Sequence, residues 1–360
     1  MTPYLILISV PMIIGIINDK IQFNARNRML RRTKSLSIDT FMLMFLFLLA
    51  FRGISCGIDT KQYLFLFEQY SNSGFLSLLR YSDREMGYKL LNKLIGITGN
   101  DFQVLLIVTS FVCVCPIWFF YKKESDIPIL TIVLFLAVAP FAIYFSGIRQ
   151  SIAISAGVGA WYAAKNRKFW WFLFVVVFAM QFHSSAFILF FLYPLYRAKI
   201  TKKWLWGVVP CMVAIYFLRN AIFNFLFAFL WKDYDISEET GAYMVTLLLI
   251  LFLIYSYVLV DDKALDEDTI ALRNILLFSV ILQMFSMLHP LAMRFNYYFL
   301  IFVPILIPRI IKRCRKDFIL IGQISAIVMT VYFLYYFVNM MITDNDALNI
   351  FPYIPFWKNP

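Results

Sequence analysis

Apolar runs long enough to cross a lipid bilayer recur from one end of this 360-residue chain to the other. A helix needs about 20 mainly apolar residues to cross the hydrocarbon core of a bilayer. Hydrophobic residues make up 62% of the chain and the mean hydropathy is +0.75, which excludes an ordinary soluble domain. The sequence therefore predicts an all-α, polytopic integral membrane protein that forms a single helical bundle over residues 1–360.

About twelve segments are predicted to span the membrane. A short apolar run, 221–231, is predicted to be interfacial or re-entrant. The segment 184–196 is short for a full crossing and is a candidate half of a broken helix. The predicted spans are 2–18, 38–54, 103–121, 127–145, 148–164, 168–181, 184–196, 204–220, 241–260, 271–288, 293–311 and 318–342.

Basic residues predict the direction in which these spans cross, since cytoplasmic loops are rich in Lys and Arg. The loop 19–37 contains six Lys and Arg residues and one acid, so it is predicted to be cytoplasmic. Alternation then places the basic loops 122–126, 165–168, 196–203 and 312–316 on the same side. The acidic loop DDKALDEDT also falls there and is an exception. The net charge of +12 therefore lies largely beside anionic lipid and needs no nucleic acid partner.

Both termini and the long polar loop 55–101 are predicted to be external. The end of this loop has apolar residues at helical spacing, which predicts an amphipathic helix on the outer surface. These residues are Met86, Leu90, Leu91 and Leu94. The aromatic and proline-rich end of the chain, FPYIPFWKNP, is predicted to form a short interfacial plug.

Unusual polar residues gather at the predicted external face. An arginine within the membrane costs about 2.5–3.5 kcal/mol on insertion scales and is usually functional. Arg149, in YFSGIRQSIAISAG, is followed by small residues that favour a helix packed inside the bundle. The cluster predicts a chemical site, and its members are Arg52, Asp59, Tyr63, Glu85, Tyr88, Arg149, Gln150, His183, Ser184, His289 and Arg294.

Arginines at a membrane face suit a phosphate or diphosphate group, through bidentate hydrogen bonds. A nearby carboxylate or histidine can act as a base toward a hydroxyl group. The sequence contains no metal-binding signature and no Walker loop, so ATP-driven chemistry is not indicated.

Each residue also has a structural interpretation, and these alternatives stay open at the level of sequence. Arg149 and Arg52 can anchor spans at the interface, and Arg294 can belong to an aromatic belt. His183 and His289 can mark a helix break and a helix start. Asp59 can cap a helix or a turn. Glu85 can pair with Arg80 or Arg84 on an exposed helix.

Six segments, in this order, resemble the EpsG family, which belongs to the wider group of Wzy-type polymerases of bacterial surface polysaccharides. They are RGISCGIDTKQY, DREMGYKLLNKL, YFSGIRQSIAISAG, MQFHSSAFILF, MRFNYYF and a terminal FPY. The resemblance covers nearly the whole chain. It implies a multi-pass protein of the bacterial inner membrane that polymerises O-antigen, capsule or exopolysaccharide repeat units. The repeat units are carried on undecaprenyl diphosphate, at the outer face, and no metal, nucleotide sugar or other cofactor is needed.

This resemblance implies roles for the clustered residues. Arg149 and Arg294 stabilise the leaving diphosphate, with Arg52 as a third cation, and His183 or Glu85 deprotonates or orients the acceptor hydroxyl. The expected substrate-binding residues are Arg52, Asp59, Tyr63, Tyr88, Gln150, Ser184, His289 and Tyr298. The expected partners are the lipid-linked glycan donor and acceptor, the bilayer and a regulator of chain length.

Three other functions are compatible with parts of the sequence. An O-antigen ligase would share the arginines and the external site. A flippase or other transporter would place polar residues at the membrane midplane and show internal repeats, and no convincing repeat is present. A membrane acyltransferase that modifies glycans would use histidines in the membrane, and His183 and His289 are the two that the chain has.

Overall fold

The computed structural model describes residues 1–24, 36–81, 85–99, 101–230, 242–343 and 346–358. Within these ranges the chain is all-helical and contains no β-strand, which confirms the predicted fold class. The basic residues Arg26, Arg28, Arg31, Arg32 and Lys34, and Trp231 at the end of the run 221–231, lie outside the described residues.

Sixteen α-helices follow one another in this part of the chain, with short 3₁₀ segments between some of them. They are α1 Thr2–Asn24, α2 Leu36–Ala50, α3 Thr60–Asn72, α4 Met86–Ile97, α5 Phe102–Glu124, α6 Pro128–Ala137, α7 Ile143–Ser146, α8 Ile148–Lys165, α9 Phe169–Met180, α10 Leu192–Arg197, α11 Leu205–Leu230, α12 Tyr243–Val258, α13 Glu267–Ser286, α14 Pro290–Leu300, α15 Val303–Lys312 and α16 Ile319–Ile342.

Four helical segments in the described ranges are long and apolar enough to cross a membrane: Phe102–Glu124, Lys202–Phe225, Glu267–Ser286 and Lys316–Ile342. The pair α14 and α15, bent by 48°, makes a fifth if it counts as one span. Five more apolar helices have 10–17 residues, which is short for a crossing. The count of twelve spans is therefore not confirmed.

Several predicted spans are interrupted helices. The predicted span 127–145 forms α6 and the one-turn α7, and Pro140 lies in the break between them. Proline lacks a backbone N–H and disfavours a helical residue before it, so a helix stops there. The short segment 184–196 forms a 3₁₀ stretch, Ser184–Phe191, that continues into α10. These breaks place turn residues beside the cavity described below.

Helix α8 lies in the middle of the bundle and packs on α5, α9 and α10. Its first half is rich in small residues, and Ser151, Ala153, Ser155 and Gly157 are all buried. Small side chains allow neighbouring helices to approach closely. The prediction that the helix of Arg149 is packed inside the bundle is confirmed, and α8 therefore holds Arg149 at a fixed position.

The acidic loop DDKALDEDT lies among basic residues at the end of the bundle where α8 ends. Asp262 pairs with Arg273 (2.7 Å), Asp266 with Arg313 (2.9 Å), Asp261 with Lys202 (3.4 Å) and Asp268 with Lys165. The loop that is the exception in charge therefore lies at the same end as three basic loops, as alternation predicts.

Helices α3 and α4 form a layer at the opposite end of the bundle. Helix α4 buries Tyr88, Lys89, Asn92 and Ile95 and exposes part of its predicted apolar face. Leu90 is 39% exposed and Leu94 is 55% exposed. The helix is amphipathic, as predicted, and two residues of its aliphatic stripe, Leu90 and Leu94, face away from the bundle.

The C-terminal segment 346–358 packs on the chain that links α2 to α3. Gly53 N–H donates to the Ile354 carbonyl (2.8 Å), and Ile58 N–H donates to the Leu348 carbonyl (2.9 Å). The Tyr4 hydroxyl donates to the Ile350 carbonyl (2.7 Å) from α1. The C-terminal segment is thus held against the α2–α3 link and α1 by backbone and side-chain hydrogen bonds.

Candidate functional site

A cavity of about 380 Å³ lies at the end of the bundle where α8 begins. Segments that are far apart in sequence form its walls: the start of α3, α7, the start of α8, the break after α9, the first turns of α14 and the C-terminal segment. The polar residues that line it are Asp59, Gln62, Tyr63, Ser146, Arg149, Gln150, His183, Arg294 and Tyr297.

The loop before α3 reaches the cavity through a close contact with α7. Gly57 has a φ of +94°, and a β-carbon there would lie 2.3 Å from the Phe145 carbonyl oxygen. Only glycine accepts this conformation and this approach without strain. Two residues later, Asp59 receives a hydrogen bond from the Ser146 hydroxyl (3.2 Å). The glycine therefore allows Asp59 to lie against α7 at the wall of the cavity.

Glu85 connects three parts of the structure through one carboxylate. Its Oε2 accepts from Arg149 Nη1 at 2.6 Å, and its Oε1 lies 3.0 Å from His183 Nδ1. The same Oε1 accepts from the Ser184 backbone N–H at 3.0 Å. Both oxygens of this buried carboxylate are thus engaged, and the two sequence-predicted cluster members Arg149 and His183 are held beside each other.

The first turn of α4 packs tightly against the break that follows α9, and this contact brings Glu85 to His183. A β-carbon at Gly87 would lie 2.8 Å from Gln181 Cβ, so a larger residue would push the two segments apart. Tyr88 N–H donates to the Gln181 carbonyl (3.3 Å). His183 itself is extended and begins the 3₁₀ segment, which leaves the Ser184 N–H pointing at Glu85.

Burial opposes ionisation of Glu85, but its hydrogen bond to His183 and the charge of Arg149 outweigh burial and lower the pKa of Glu85. Arg149 also lies over two aromatic rings, with its guanidinium carbon 5.6 Å from the Tyr63 centroid and 5.8 Å from the Tyr88 centroid. These are distances at which ring faces attract a cation. The site therefore holds an ionised Glu85 and a cation that is partly neutralised.

Arg294 is the other cation at the cavity. Its side chain has no ion-pair partner among the described residues, and the residue is exposed. Its position is set through the backbone, because Gln150 Nε2 donates to the Arg294 carbonyl oxygen at 2.7 Å. Unlike Arg149, Arg294 presents a full positive charge to any molecule that enters the cavity.

Six of the twelve predicted site residues line this cavity: Asp59, Tyr63, Arg149, Gln150, His183 and Arg294. Glu85 and the Ser184 backbone lie directly behind it through their bonds to Arg149 and His183. Tyr88 lies beneath Arg149, and burial raises the pKa of this phenol far above its ordinary value. Nine of the twelve predicted site residues therefore belong to one connected site.

Three predicted residues lie elsewhere. Arg52 is 1% exposed beneath the C-terminal segment, where its Nη1 donates to the Leu49 carbonyl and its backbone bridges to Pro355. His289 accepts the Leu291 N–H (3.1 Å) at the start of α14, which is the helix-start role. The buried Tyr298 hydroxyl bonds to Ser185 Oγ (3.0 Å). None of the three lines the cavity.

The structure also adds residues that sequence reasoning did not select. Ser146 bonds Asp59, and Gln62, Tyr297 and Leu348 line the cavity. Gln62 lies one residue before the selected Tyr63, and Tyr297 lies one residue before the selected Tyr298. Ser146 lies in YFSGIRQ, three residues before Arg149, so this motif contained the signal for it. Nothing in the sequence indicates that Leu348 reaches the cavity.

Within the described ranges, no group of three or more His, Cys, Asp or Glu residues is placed so as to hold a metal ion. Comparison with curated proteins and with solved structures finds no match to the chain. The model of the EpsG family matches residues 38–354, a range that contains every residue of the site described above. The chain belongs to the EpsG family.

Proposed function

We propose that this protein joins oligosaccharide repeat units carried on undecaprenyl diphosphate into a bacterial surface polysaccharide. Membership of the EpsG family and the apolar helices support a membrane protein of polysaccharide biosynthesis with a polymerase-type glycosyltransferase role. The reaction, the lipid carrier and the side of the membrane are parts of the proposal. The product is an O-antigen, a capsule or an exopolysaccharide.

In the proposed reaction a hydroxyl of one lipid-linked repeat unit attacks the anomeric carbon of the glycan on a second carrier. Lipid diphosphate leaves with the electrons of the broken bond, so negative charge develops on it. Preorganised cations stabilise a transition state most where charge develops. Arg149 and Arg294 line one cavity and are held from different helices, which suits them to this role.

One observation carries the proposal: two arginines and the carboxylate of Asp59 line the same cavity, at a helix break, in a chain of the EpsG family. A diphosphate needs the cations, and a glycosyl acceptor needs a group that can take a proton. A ligand that offers both a diphosphate and hydroxyl groups matches this arrangement of charge. Tyr63, Gln150 and Tyr297 add ring faces and an amide that suit sugar or phosphate oxygen atoms.

The proposal includes the membrane topology of about twelve spans, in which the short and broken apolar helices also cross. The basic loops at the opposite end of the bundle are then cytoplasmic. The cavity therefore opens at the external face of the inner membrane. An impermeant maleimide tests this in intact cells of a strain whose native cysteines are replaced. Lys61→Cys should react from outside, and Lys263→Cys should react only after permeabilisation. The reverse pattern would refute the orientation.

Complementation of a strain that lacks the gene tests the function. Arg149→Ala should reduce the long polysaccharide ladder on a gel to a single-repeat band, with a normal amount of protein in the membrane. Arg80→Ala is the matched control, since Arg80 is an exposed arginine of the α3–α4 connection that does not line the cavity. It should leave the ladder unchanged.

The test separates the proposed function from its alternatives. An unchanged ladder with Arg149→Ala would make Arg149 a structural residue and would remove the centre of the mechanism. Polymer that stays on the lipid carrier and fails to reach its final acceptor would indicate an O-antigen ligase. Loss of lipid-linked units from the external face, without polymer, would indicate a transporter.

A further inference from the structure

We propose that Asp59 is the general base that takes the proton from the acceptor hydroxyl, and that Ser146 is the residue that positions it. This inference rests on the proposed function. The carboxylate of Asp59 lines the cavity, and that of Glu85 lies directly behind it. The sequence predicted Glu85 or His183 for this role and Asp59 as a binding residue. The surroundings of Glu85, His183 and Asp59 differ in the structure, and this difference favours Asp59 as the base.

The step that needs a base is the formation of the glycosidic bond. The acceptor oxygen forms a bond to the anomeric carbon while the bond from that carbon to the diphosphate oxygen breaks. The bonding electrons leave with the diphosphate, and the hydroxyl proton passes to the base. The base must therefore have a lone pair that is not already used and that faces the cavity.

Glu85 does not meet this requirement, because it lies behind Arg149 and His183 and does not line the cavity. Both of its oxygens accept hydrogen bonds, from Arg149, the Ser184 N–H and the ring of His183. The pKa of Glu85 is lowered, because these partners outweigh the effect of burial, and a lowered pKa makes a carboxylate a weaker base. Glu85 is thus a positioning residue that fixes Arg149 and His183.

His183 is bound to the same carboxylate as Arg149, so the two side chains are neighbours at one part of the cavity. Arg149 marks the position of the diphosphate in the proposed reaction. In a single-step displacement the acceptor attacks from the side opposite the leaving group, and its base must lie there too. His183 therefore stands beside the diphosphate, where an imidazole N–H serves as a further hydrogen-bond donor.

Asp59 meets the requirement for a base. Asp59 precedes the first residue of α3, yet its side chain makes no capping hydrogen bond. It therefore does not act as the helix cap that the sequence also allowed. Its one hydrogen-bond partner through the carboxylate in the described part of the chain is the neutral hydroxyl of Ser146, at 3.2 Å. No Lys, Arg or His side chain of the described residues pairs with it. Asp59 also lines the cavity, so its remaining lone pairs are available to a ligand.

Two contacts set the position of Asp59. Ser146 Oγ donates to Asp59 Oδ2 at 3.2 Å and accepts from the Asp59 N–H at 3.4 Å, so one hydroxyl contacts both the backbone and the side chain. Gly57 holds the loop against the Phe145 carbonyl. The loop is also bonded to the C-terminal segment, since Gly57 N–H donates to the Asn349 carbonyl at 2.8 Å. These contacts position the Asp59 carboxylate at the wall of the cavity, and positioning of this kind supports catalysis.

The test uses the purified full-length protein in proteoliposomes. The substrate is the lipid-linked oligosaccharide extracted from a strain that lacks the gene, and undecaprenyl diphosphate is the binding probe. Asp59→Asn should lower the rate of polymer formation by about 100-fold or more, the usual range for loss of a general base, while the affinity for undecaprenyl diphosphate stays unchanged. Glu68→Gln, an exposed acid of α3 outside the cavity, is the control and should be fully active.

The pH profile distinguishes the base from a residue that only supports the site. In the wild type, the plot of rate against pH should fall at acidic pH with one ionisation. Asp59→Glu should retain part of the activity and shift this acidic limb of the plot. Ser146→Ala should lower kcat and also shift the limb, because it changes the surroundings of the same carboxylate, with little change in KM.

The outcomes are distinct. Polymer formation by Asp59→Asn at more than a tenth of the wild-type rate would overturn the assignment. An acidic limb that disappears in His183→Gln, but not in Asp59→Asn, would assign the base to His183 instead. A wild-type protein that forms no polymer from the extract would overturn the proposed function, and the role of Asp59 would be lost with it.

Discussion

The guanidinium of Arg149 lies 2.6 Å from the carboxylate of Glu85, although 64 residues separate them. Arg149 is therefore a partly neutralised cation, fixed in place by a buried acid that also binds His183. A fixed cation loses less entropy when a diphosphate binds, while its charge toward the ligand is smaller than that of an unpaired arginine. In the proposed reaction, Arg149 provides position and Arg294 provides charge.

Replacing Glu85 by Gln should disturb both stability and activity. The amide cannot accept from Arg149, His183 and the Ser184 N–H at once, so a cation in the site loses its counter-charge. Hydrogen bonds to charged groups contribute about 1.5–3 kcal/mol each, and we expect a loss of about 2 kcal/mol in stability. Thermal unfolding in detergent, followed by tryptophan fluorescence, measures the change. An unfolding temperature equal to that of the wild type would contradict the role of Glu85 as the connecting residue.

The pH dependence of stability should report the same carboxylate. The pKa of Glu85 in the folded protein is lowered, so ionised Glu85 stabilises the fold at pH values above its ordinary pKa of about 4.3. That contribution is lost as the pH falls through the lower, folded pKa. The unfolding temperature of the wild type should therefore decrease below about pH 4.3, and the unfolding temperature of Glu85→Gln should decrease less steeply with pH. Parallel curves for the two proteins would show that other carboxylates determine the acid limb.

Arg294 should contribute mainly to affinity for the diphosphate. Its side chain has no ion-pair partner in the described part of the chain, so Arg294→Gln removes a binding charge and breaks no internal pair. Loss of a charge-assisted hydrogen bond of about 1.5–3 kcal/mol corresponds to a roughly 10- to 100-fold weaker affinity. Competition binding with undecaprenyl diphosphate measures this, with Arg80→Gln as the control. An unfolding temperature that drops as far as that of Glu85→Gln would mean that Arg294 is structural.

Arg149→Lys should separate charge from geometry. Lysine keeps the positive charge and can still contact Glu85, but it has no second planar N–H pair to offer a phosphate. We expect the polysaccharide ladder to be strongly shortened at a normal amount of protein in the membrane. Arg80→Lys, outside the cavity, should have no effect. A normal ladder with Arg149→Lys would refute bidentate binding by this residue.

The apolar composition of the chain and the length of its apolar runs were enough to predict the fold class and most helix positions. The polar cluster was predicted because Arg149, His183 and Arg294 are expensive or rare residues in apolar surroundings. The pairing of Glu85 with Arg149 and His183 was not predictable, because it depends on how two breaks in the helices meet in space. The periodicity of apolar residues predicts which face of a helix is buried. It does not predict which residue a turn residue contacts.

Arg52 shows a different limit of sequence reasoning. Its position at the end of an apolar segment resembles that of Arg149, yet the C-terminal segment covers it and the guanidinium is 1% exposed. The covering segment is rich in Pro and aromatic residues and has no helical or strand period, so its place in the fold is set by tertiary contacts alone. The same contacts bring Leu348 to the cavity.

The C-terminal segment should therefore be required for activity. The carboxylate of Asp346 accepts the backbone N–H groups of Leu348 (3.0 Å), Phe351 (3.2 Å) and Ile350, and Leu348 in turn accepts from Ile58, next to Asp59. Asp346→Ala removes both acceptor oxygens, and with them all three hydrogen bonds, and should loosen the loop that carries Asp59. We expect a clear loss of polymer, and Asp346→Asn, which keeps one acceptor oxygen, should lose less.

Cys56 reports directly on this segment. Its thiol is buried beside the Ile350 carbonyl, and burial raises its pKa to about 11, so few thiolates are present at neutral pH. Maleimide reacts with the thiolate and should label Cys56 slowly in the wild type and much faster in Asp346→Ala. Peptide mapping by mass spectrometry separates Cys56 from the other cysteines of the chain. If Asp346→Ala abolishes polymer while Cys56 stays protected, the segment acts on the site by a route other than the Asp59 loop.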